Sequence, residues 1–205
     1  MALYHHTHNE TSKYVEPFLP PLSPFIRDFV LEADSWRKSG KQECAQVFRN
    51  QDNHVLVAQP ACEDLPAVFE HITDQEILEV PGIKFDIHSY QDSKPTGLSV
   101  VFTVEWDHKT YHMYVEKGEN RMKVKFKAGG VPQHIEGDTS NIIFIKTRFS
   151  DGSRQFFRFE SALERGYFLA FEWDEGSSAT KLVAKKVELT DEVDESTKLH
   201  HSSPL

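Results

Sequence analysis

From about residue 42 onward the chain repeats one pattern. A short run alternates apolar and polar side chains, a turn signal follows, and another run begins. Ala45, Val47 and Arg49 alternate with polar neighbours, and His54-Val55-Leu56-Val57-Ala58 follows as an apolar run. Further runs lie at 65–70, 82–90, 98–106, 110–116, 121–127, 141–149, 154–160, 167–173 and 179–187, with a weak last one near 196–200. Pro81-Gly82, Lys94-Pro95-Thr96-Gly97, Lys117-Gly118-Glu119-Asn120, Gly129-Gly130, Asp151-Gly152 and Gly176-Ser177 punctuate them. About twelve short strands at regular spacing predict an all-β barrel or sandwich. Only 70–80 reads as a short helix or loop. No strand leads into a ten-residue amphipathic helix, which disfavours parallel α/β folds, and no Cys–Trp–Cys spacing supports an immunoglobulin sandwich. Fifteen Phe against three Trp and six Tyr predict a Phe-filled interior.

Residues 1–34 read differently. Pro17, Pro20, Pro21 and Pro24 exclude regular helix or central strand from Glu16 to Pro24. Ser23-Pro24 reads as a helix start, Ser23 as N-cap and Pro24 at the first helical position, with Phe25, Ile26, Phe29 and Val30 as its apolar positions. Lys38, Gly40 and Lys41 break the pattern. The expected organisation is a partly helical appended segment, 1–34, before a β domain, 35–205, with 196–205 as a weak last strand and tail. No run of about 18 apolar residues predicts a membrane-crossing helix. His5, His6, His8, Asn9, Glu10 and Lys13 stand where a secretory signal needs an apolar core, so none is expected. A net charge of −9 argues against nucleic-acid binding and against docking on an anionic membrane by charge.

Enzyme signatures are absent: no phosphate loop, no Gly-x-Ser-x-Gly, no His-Glu-x-x-His. Cys44 and Cys62 are expected as free thiols, with Cys44 buried or half-buried. His5, His6 and His8, and His200-His201 at the other end, read as solvated tail residues rather than metal ligands, so neither a metal site nor a cofactor is expected. Asn9-Glu10-Thr11 reads as a chance sequon. The acidic stretch Glu188 to Glu195 lacks the spacing of a calcium loop and reads as solvated. Leu31-Glu32-Ala33-Asp34, followed by Ser35, has the form of a caspase site, in which an Arg-lined pocket holds the Asp carboxylate.

One segment carries a family resemblance. In 156–172 the order Phe159-Glu160-Ser161, then Gly166-Tyr167-Phe168-Leu169, resembles the signature of the interleukin-1 cytokine family. Arg165 stands where many members have Pro. Arg49-Asn50 with Val55-Leu56, Phe69-Glu70 with Thr73-Asp74, the turn 90–98, Asp138 to Phe144 and Lys181 to Lys186 resemble segments of the same family in the same order. The resemblance implies a β-trefoil whose function is binding rather than catalysis. It implies a precursor made in the cytoplasm, cut after Asp34 by an inflammatory caspase, and secreted by a route that needs no signal peptide. Implied partners are two receptor chains with immunoglobulin-like ectodomains and a soluble binding protein, for a monomeric ligand. Arg49 with Asp52 or Asn53 matches one receptor-contacting segment, and Lys127, with Lys123 as a looser match, fits contacts to the second chain. The alternatives left open are another ligand or receptor antagonist of the family, or a trefoil binding module without cytokine activity.

Overall fold

The computed structural model describes residues 34–93, 97–119, 121–149, 156–188 and 193–204. The expected helix at Ser23-Pro24, the residues Leu31, Glu32 and Ala33, and the histidines near the N-terminus lie outside the described residues. Thirteen strands are present: β1 (Ser35–Arg49), β2 (Val55–Ala58), β3 (Ala67–Glu70), β4 (Phe85–Asp92), β5 (Leu98–Trp106), β6 (Lys109–Lys117), β7 (Met122–Ala128), β8 (His134–Glu136), β9 (Phe144–Arg148), β10 (Phe157–Ser161), β11 (Tyr167–Asp174), β12 (Ala179–Lys186) and β13 (His200–Ser202). A single 3₁₀ turn, Glu76–Leu78, occupies the 70–80 interval, as expected there.

The pairings define the architecture. Strand β1 pairs with β4, β4 with β5, β5 with β9 and β9 with β10. Strand β10 bridges to Leu199, and β13 pairs back to β1. Six strands therefore close a barrel. The hairpins β2–β3, β6–β7 and β11–β12 cap it, with β12 joined to both β3 and β7. A six-strand barrel under three hairpins is the β-trefoil.

The barrel closes because each of its strands sends one aromatic ring inward. Phe48 (β1) meets Phe85 (β4), Phe102 (β5) and Phe159 (β10) edge-on, at centroid distances of 5.5, 5.4 and 5.9 Å. Phe102 also meets Phe144 (β9) at 5.5 Å and Phe159 at 5.2 Å. Five of these rings are almost fully removed from water, each worth roughly 3–5 kcal/mol against Ala. The sixth strand, β13, supplies His201 instead, 5.3 Å from Phe48 and stacked 4.9 Å from Phe157.

Several expectations are corrected. Extended structure begins at Ser35 rather than near residue 42: β1 runs through Lys38, Gly40 and Lys41, absorbing extra residues as bulges. Asp86 holds the second bulge, its carboxylate accepting the Ala45 N–H and the Gln42 amide, both at 2.9 Å, with Ala45 at φ +52°. The short strand β8 was not anticipated. The closing strand is 200–202 rather than 196–200, so the C-terminal residues form part of the barrel. His201 is buried in the barrel wall, not solvated in a tail, and Cys44 is exposed rather than half-buried. Across the acidic stretch, Asp194 is partly buried, pairs with Lys185 at 2.7 Å and caps the Ser196 N–H.

Neutral His201 is the form this site holds. Its Nδ1–H donates to Gln46 Oε1 at 3.0 Å, and its buried Nε2 has no hydrogen-bond partner. Burial pushes its pKa from 6.5 down to about 4, aided by the neighbouring Lys146 ammonium and His200 and opposed by Glu43. The unfolded imidazole takes a proton below about pH 6.5, whereas the folded one waits until about pH 4. Its contribution is therefore complete above pH 6.5 and is lost as the pH falls from 6.5 to 4. Urea unfolding as a function of pH should show stability falling across that window by up to about 1.4 kcal/mol per pH unit. His201→Gln should flatten that dependence.

Candidate functional site

Arg49 ends β1 at a tight turn. Asn50 is buried and builds that turn: its side-chain oxygen accepts the His54 N–H at 2.9 Å, and its N–H donates to the His54 carbonyl at 3.0 Å. The chain reverses through Asn53 in the left-handed region, φ +65°. Arg49 then folds back. One guanidinium nitrogen donates to the Asn53 carbonyl at 3.1 Å, and the other pairs with Asp74 at 3.2 Å. The pair is asymmetric: the Arg49 side chain is 12% exposed and that of Asp74 is 76% exposed. Arg49 is thus an internal brace, and the charge offered to solvent is the Asp74 carboxylate.

Thr73 and Glu76 fix Asp74 in place. The Glu76 carboxylate accepts both the Thr73 N–H, at 2.8 Å, and its hydroxyl, at 2.7 Å, and these bonds hold its pKa below the usual value. The 3₁₀ turn that follows buries Ile77 and leaves Leu78 63% exposed. Arg49, Asn53, Asp74, Ile77 and Leu78 share a depression of about 350 Å³ with Val47 and with Ser202, Ser203 and Pro204 from the chain end. Its far wall exists only because β13 is docked.

The other expected residues fall into separate groups. Asp52 is exposed on the turn beside Asn53. Lys123 and Lys127 are exposed on β7, facing Glu116 and His112 of β6. Asp34 and Ser35 lie at a junction that is paired on both sides. The Asp34 carbonyl accepts the Gly137 N–H at 2.7 Å, and Ser35 exchanges bonds with Ser93 at 3.2 Å. Trp36 is buried, its indole N–H donating to Ser99 Oγ at 3.1 Å. A larger depression, about 690 Å³, runs along Lys38, Asp86, His88 and Val131 and contains none of the expected residues.

The signature residues turn out to be architectural. Phe159 and Leu169 enter the core, Tyr167 packs against it, and Phe168 is buried under the Arg158 guanidinium. Ser161 Oγ accepts the Leu163 N–H at 3.2 Å. Glu160 accepts the Gly166 N–H at 2.8 Å and an Arg165 guanidinium N–H at 2.7 Å. Arg165 can replace Pro here because it reaches Glu160 across the turn, and Gly166 sits at φ +83°, where a side chain is strained.

Sequence reasoning overlooked Asp74, Leu78 and the 202–204 wall as site residues. The Thr73-x-x-Glu76 spacing, a capping box ahead of an apolar residue, was the available signal for the first two.

A family model described as Interleukin-1 / 18 matches residues 79–193. Interleukin-18 of Gallus gallus is 44% identical over 170 residues, covering 82% of this chain and 83% of the relative. Interleukin-18 of Homo sapiens is 32% identical over 163 residues, covering 77% and 79%. Among solved structures, chicken cytokine interleukin 1 beta superposes with a TM-score of 0.56 at 15% identity, covering 82% of this chain and 99% of that one. At that identity the likeness speaks for the fold alone.

Replacing Glu160 by Ala removes the acceptor for both Gly166 and Arg165. Chemical unfolding should show a loss of about 1–3 kcal/mol, with Glu160→Gln retaining part of it. An unchanged midpoint for Glu160→Ala would contradict this reading of the turn.

Proposed function

We propose, from the premise that this chain is a cytokine of the interleukin-1/18 family, to which it belongs, that it acts as an interleukin-18-type ligand. It is made as an inactive cytoplasmic precursor, cut after Asp34 by an inflammatory caspase and secreted without a signal peptide. As a monomer it then joins two interleukin-18 receptor chains, with a soluble interleukin-18-binding protein as a competing partner. The observation that carries this reading is the 44% identity with chicken interleukin-18 across 82% of the chain.

The product does its work by affinity. The depression beside Arg49 suits the first receptor chain: an exposed carboxylate, an apolar rim at Leu78 and a wall from 202–204 offer a cationic or N–H-bearing side chain one defined seat. Arg49 acts there through Asp74, with Asp52 and Asn53 beside it. Lys123 and Lys127 face the second chain. Interfaces of this kind bury about 1,600 Å² or more, with a few residues dominating. Asp74→Ala should weaken receptor binding about tenfold or more. Because the Asp74 carboxylate is solvent-exposed and Arg49 keeps its bond to the Asn53 carbonyl, stability should change by less than about 1 kcal/mol.

Cleavage has a structural cost. A protease grips its substrate as an extended strand with free backbone edges, but at Trp36 and Arg37 both edges of β1 are taken, by β4 and by β8. Cutting therefore draws on a locally opened state in which Trp36 leaves its pocket. Trp36→Ala should be cut several-fold faster at equal protease concentration.

The decisive experiment incubates the full chain with an inflammatory caspase, sequences the new N-terminus and measures binding to interleukin-18 receptor ectodomains of the same species. A cut before Ser35 with binding gained is the expected result, and Asp34→Ala should remain uncut and inactive. A product that binds no receptor chain, or full activity of uncut Asp34→Ala, would overturn the maturation mechanism.

A further inference from the structure

The residues leading into and along β7 read Arg121-Met122-Lys123-Val124-Lys125-Phe126-Lys127. Met122 and Val124 are buried and Phe126 packs against the core, so the four basic residues share the outward side. A strand advances about 3.3 Å per residue, which spaces neighbouring cations about 7 Å apart along a row of about 20 Å. Lys125 pairs with Glu116 at 2.6 Å. Among the described residues, Arg121, Lys123 and Lys127 form no ion pair. Beside the row, a depression of about 150 Å³ brings Arg121, Lys123 and Lys125 against Lys181 of β12, with Glu63 and Asp64 also on its rim.

This row contradicts the character of the whole chain, whose net charge is −9. Alternation on a strand demands only polar outward residues, not four cations in succession. Edge protection explains some of them: β12 pairs with β7 only at Met122, and lysines deter strand addition along an open edge. It does not call for Arg121, which precedes the strand.

We infer that this face binds a linear sulfated polysaccharide. The charges are spread along a line rather than gathered around one enclosed point, so a single small anion would meet only one or two of them. A membrane surface fits less well. Among the described residues, the exposed large apolar side chains, Leu78, Leu98, Trp173 and Val193, all lie outside β7. A planar anionic surface would also bring much of the acidic body within a Debye length of about 8–10 Å, whereas a thin polymer meets the row alone. If Lys123 and Lys127 also serve the second receptor chain, as proposed above, polymer and receptor exclude one another, and polymer-bound ligand is a store rather than a signal.

The test uses the full chain on immobilised heparin, with phosphatidylserine vesicles as a second probe. Two double variants carry the same change in net charge: Lys123→Glu with Lys127→Glu, and Arg37→Glu with Lys41→Glu, the latter pair exposed on β1. The expected result is heparin binding at 50 mM salt that weakens steadily as salt rises. It should fall about tenfold or more in the β7 variant and less than about twofold in the β1 variant. Circular dichroism of both variants confirms that each is folded. No binding at low salt, an equal loss in both variants, or tighter binding to vesicles than to heparin would overturn the proposal. None of these outcomes depends on receptor activity, so this proposal and the cytokine reading stand or fall separately.

Discussion

A ring of six aromatic side chains, one from each barrel strand, holds this molecule together. Five are phenylalanines separated widely in sequence, and each can be buried only if the other strands are in place. The sixth, His201, is the weak member. It brings a polar ring into an apolar wall and leaves Nε2 unpartnered, yet it stacks on Phe157 and lets the chain end zip onto β1. Burial and the Lys146 ammonium keep it neutral against the pull of Glu43, and Gln46 accepts its Nδ1–H. Three paired residues and one bridge to β10 complete the barrel, so closure is decided at the last few positions of the chain.

The proposed site is tied to that closure through β1. This one strand carries the Asp34–Ser35 junction at its start, pairs with β13 near its end and terminates in Arg49. The depression beside Arg49 is assembled from β1, the 3₁₀ turn after β3, and the end of β13 with the residues that follow it. Without β13 the depression loses a wall while the Arg49–Asp74 pair keeps its local partners. The rigid hairpin signature contributes at a distance. Glu160 and Gly166 set the turn into the β11–β12 hairpin, whose β12 reaches β3 and β7, and β7 in turn presents its basic row.

Much of the β pattern was legible because burial here alternates with period two. The hairpins at Arg49–Val55 and at Gly166 carry turn residues whose backbone demands are local. What escaped notice lacked that local mark. The bulge in β1 breaks the period between Lys38 and Gln42, so the alternation becomes visible only from about residue 42 although the pairing with β4 begins at Trp36. His200-His201-Ser202 has no hydrophobic alternation, and its burial comes from Phe48 and Phe157 far away in sequence. Strand β8 has three residues and owes its existence to β1. The candidate site was legible only in part: Arg49 was visible, but its pairing with Asp74 spans 25 residues, and only the fold shows that the exposed charge is the carboxylate rather than the guanidinium.

The most direct test of this account is a hydrogen-exchange footprint of the cut chain bound to its receptor ectodomains. Binding of the first chain should slow exchange together at 49–53, 74–78 and 202–204, because those backbones build one depression. Addition of the second chain should extend protection to 121–127. Protection confined to other faces, with all three of the first segments unchanged, would contradict the site and with it the claim that barrel closure builds the docking surface.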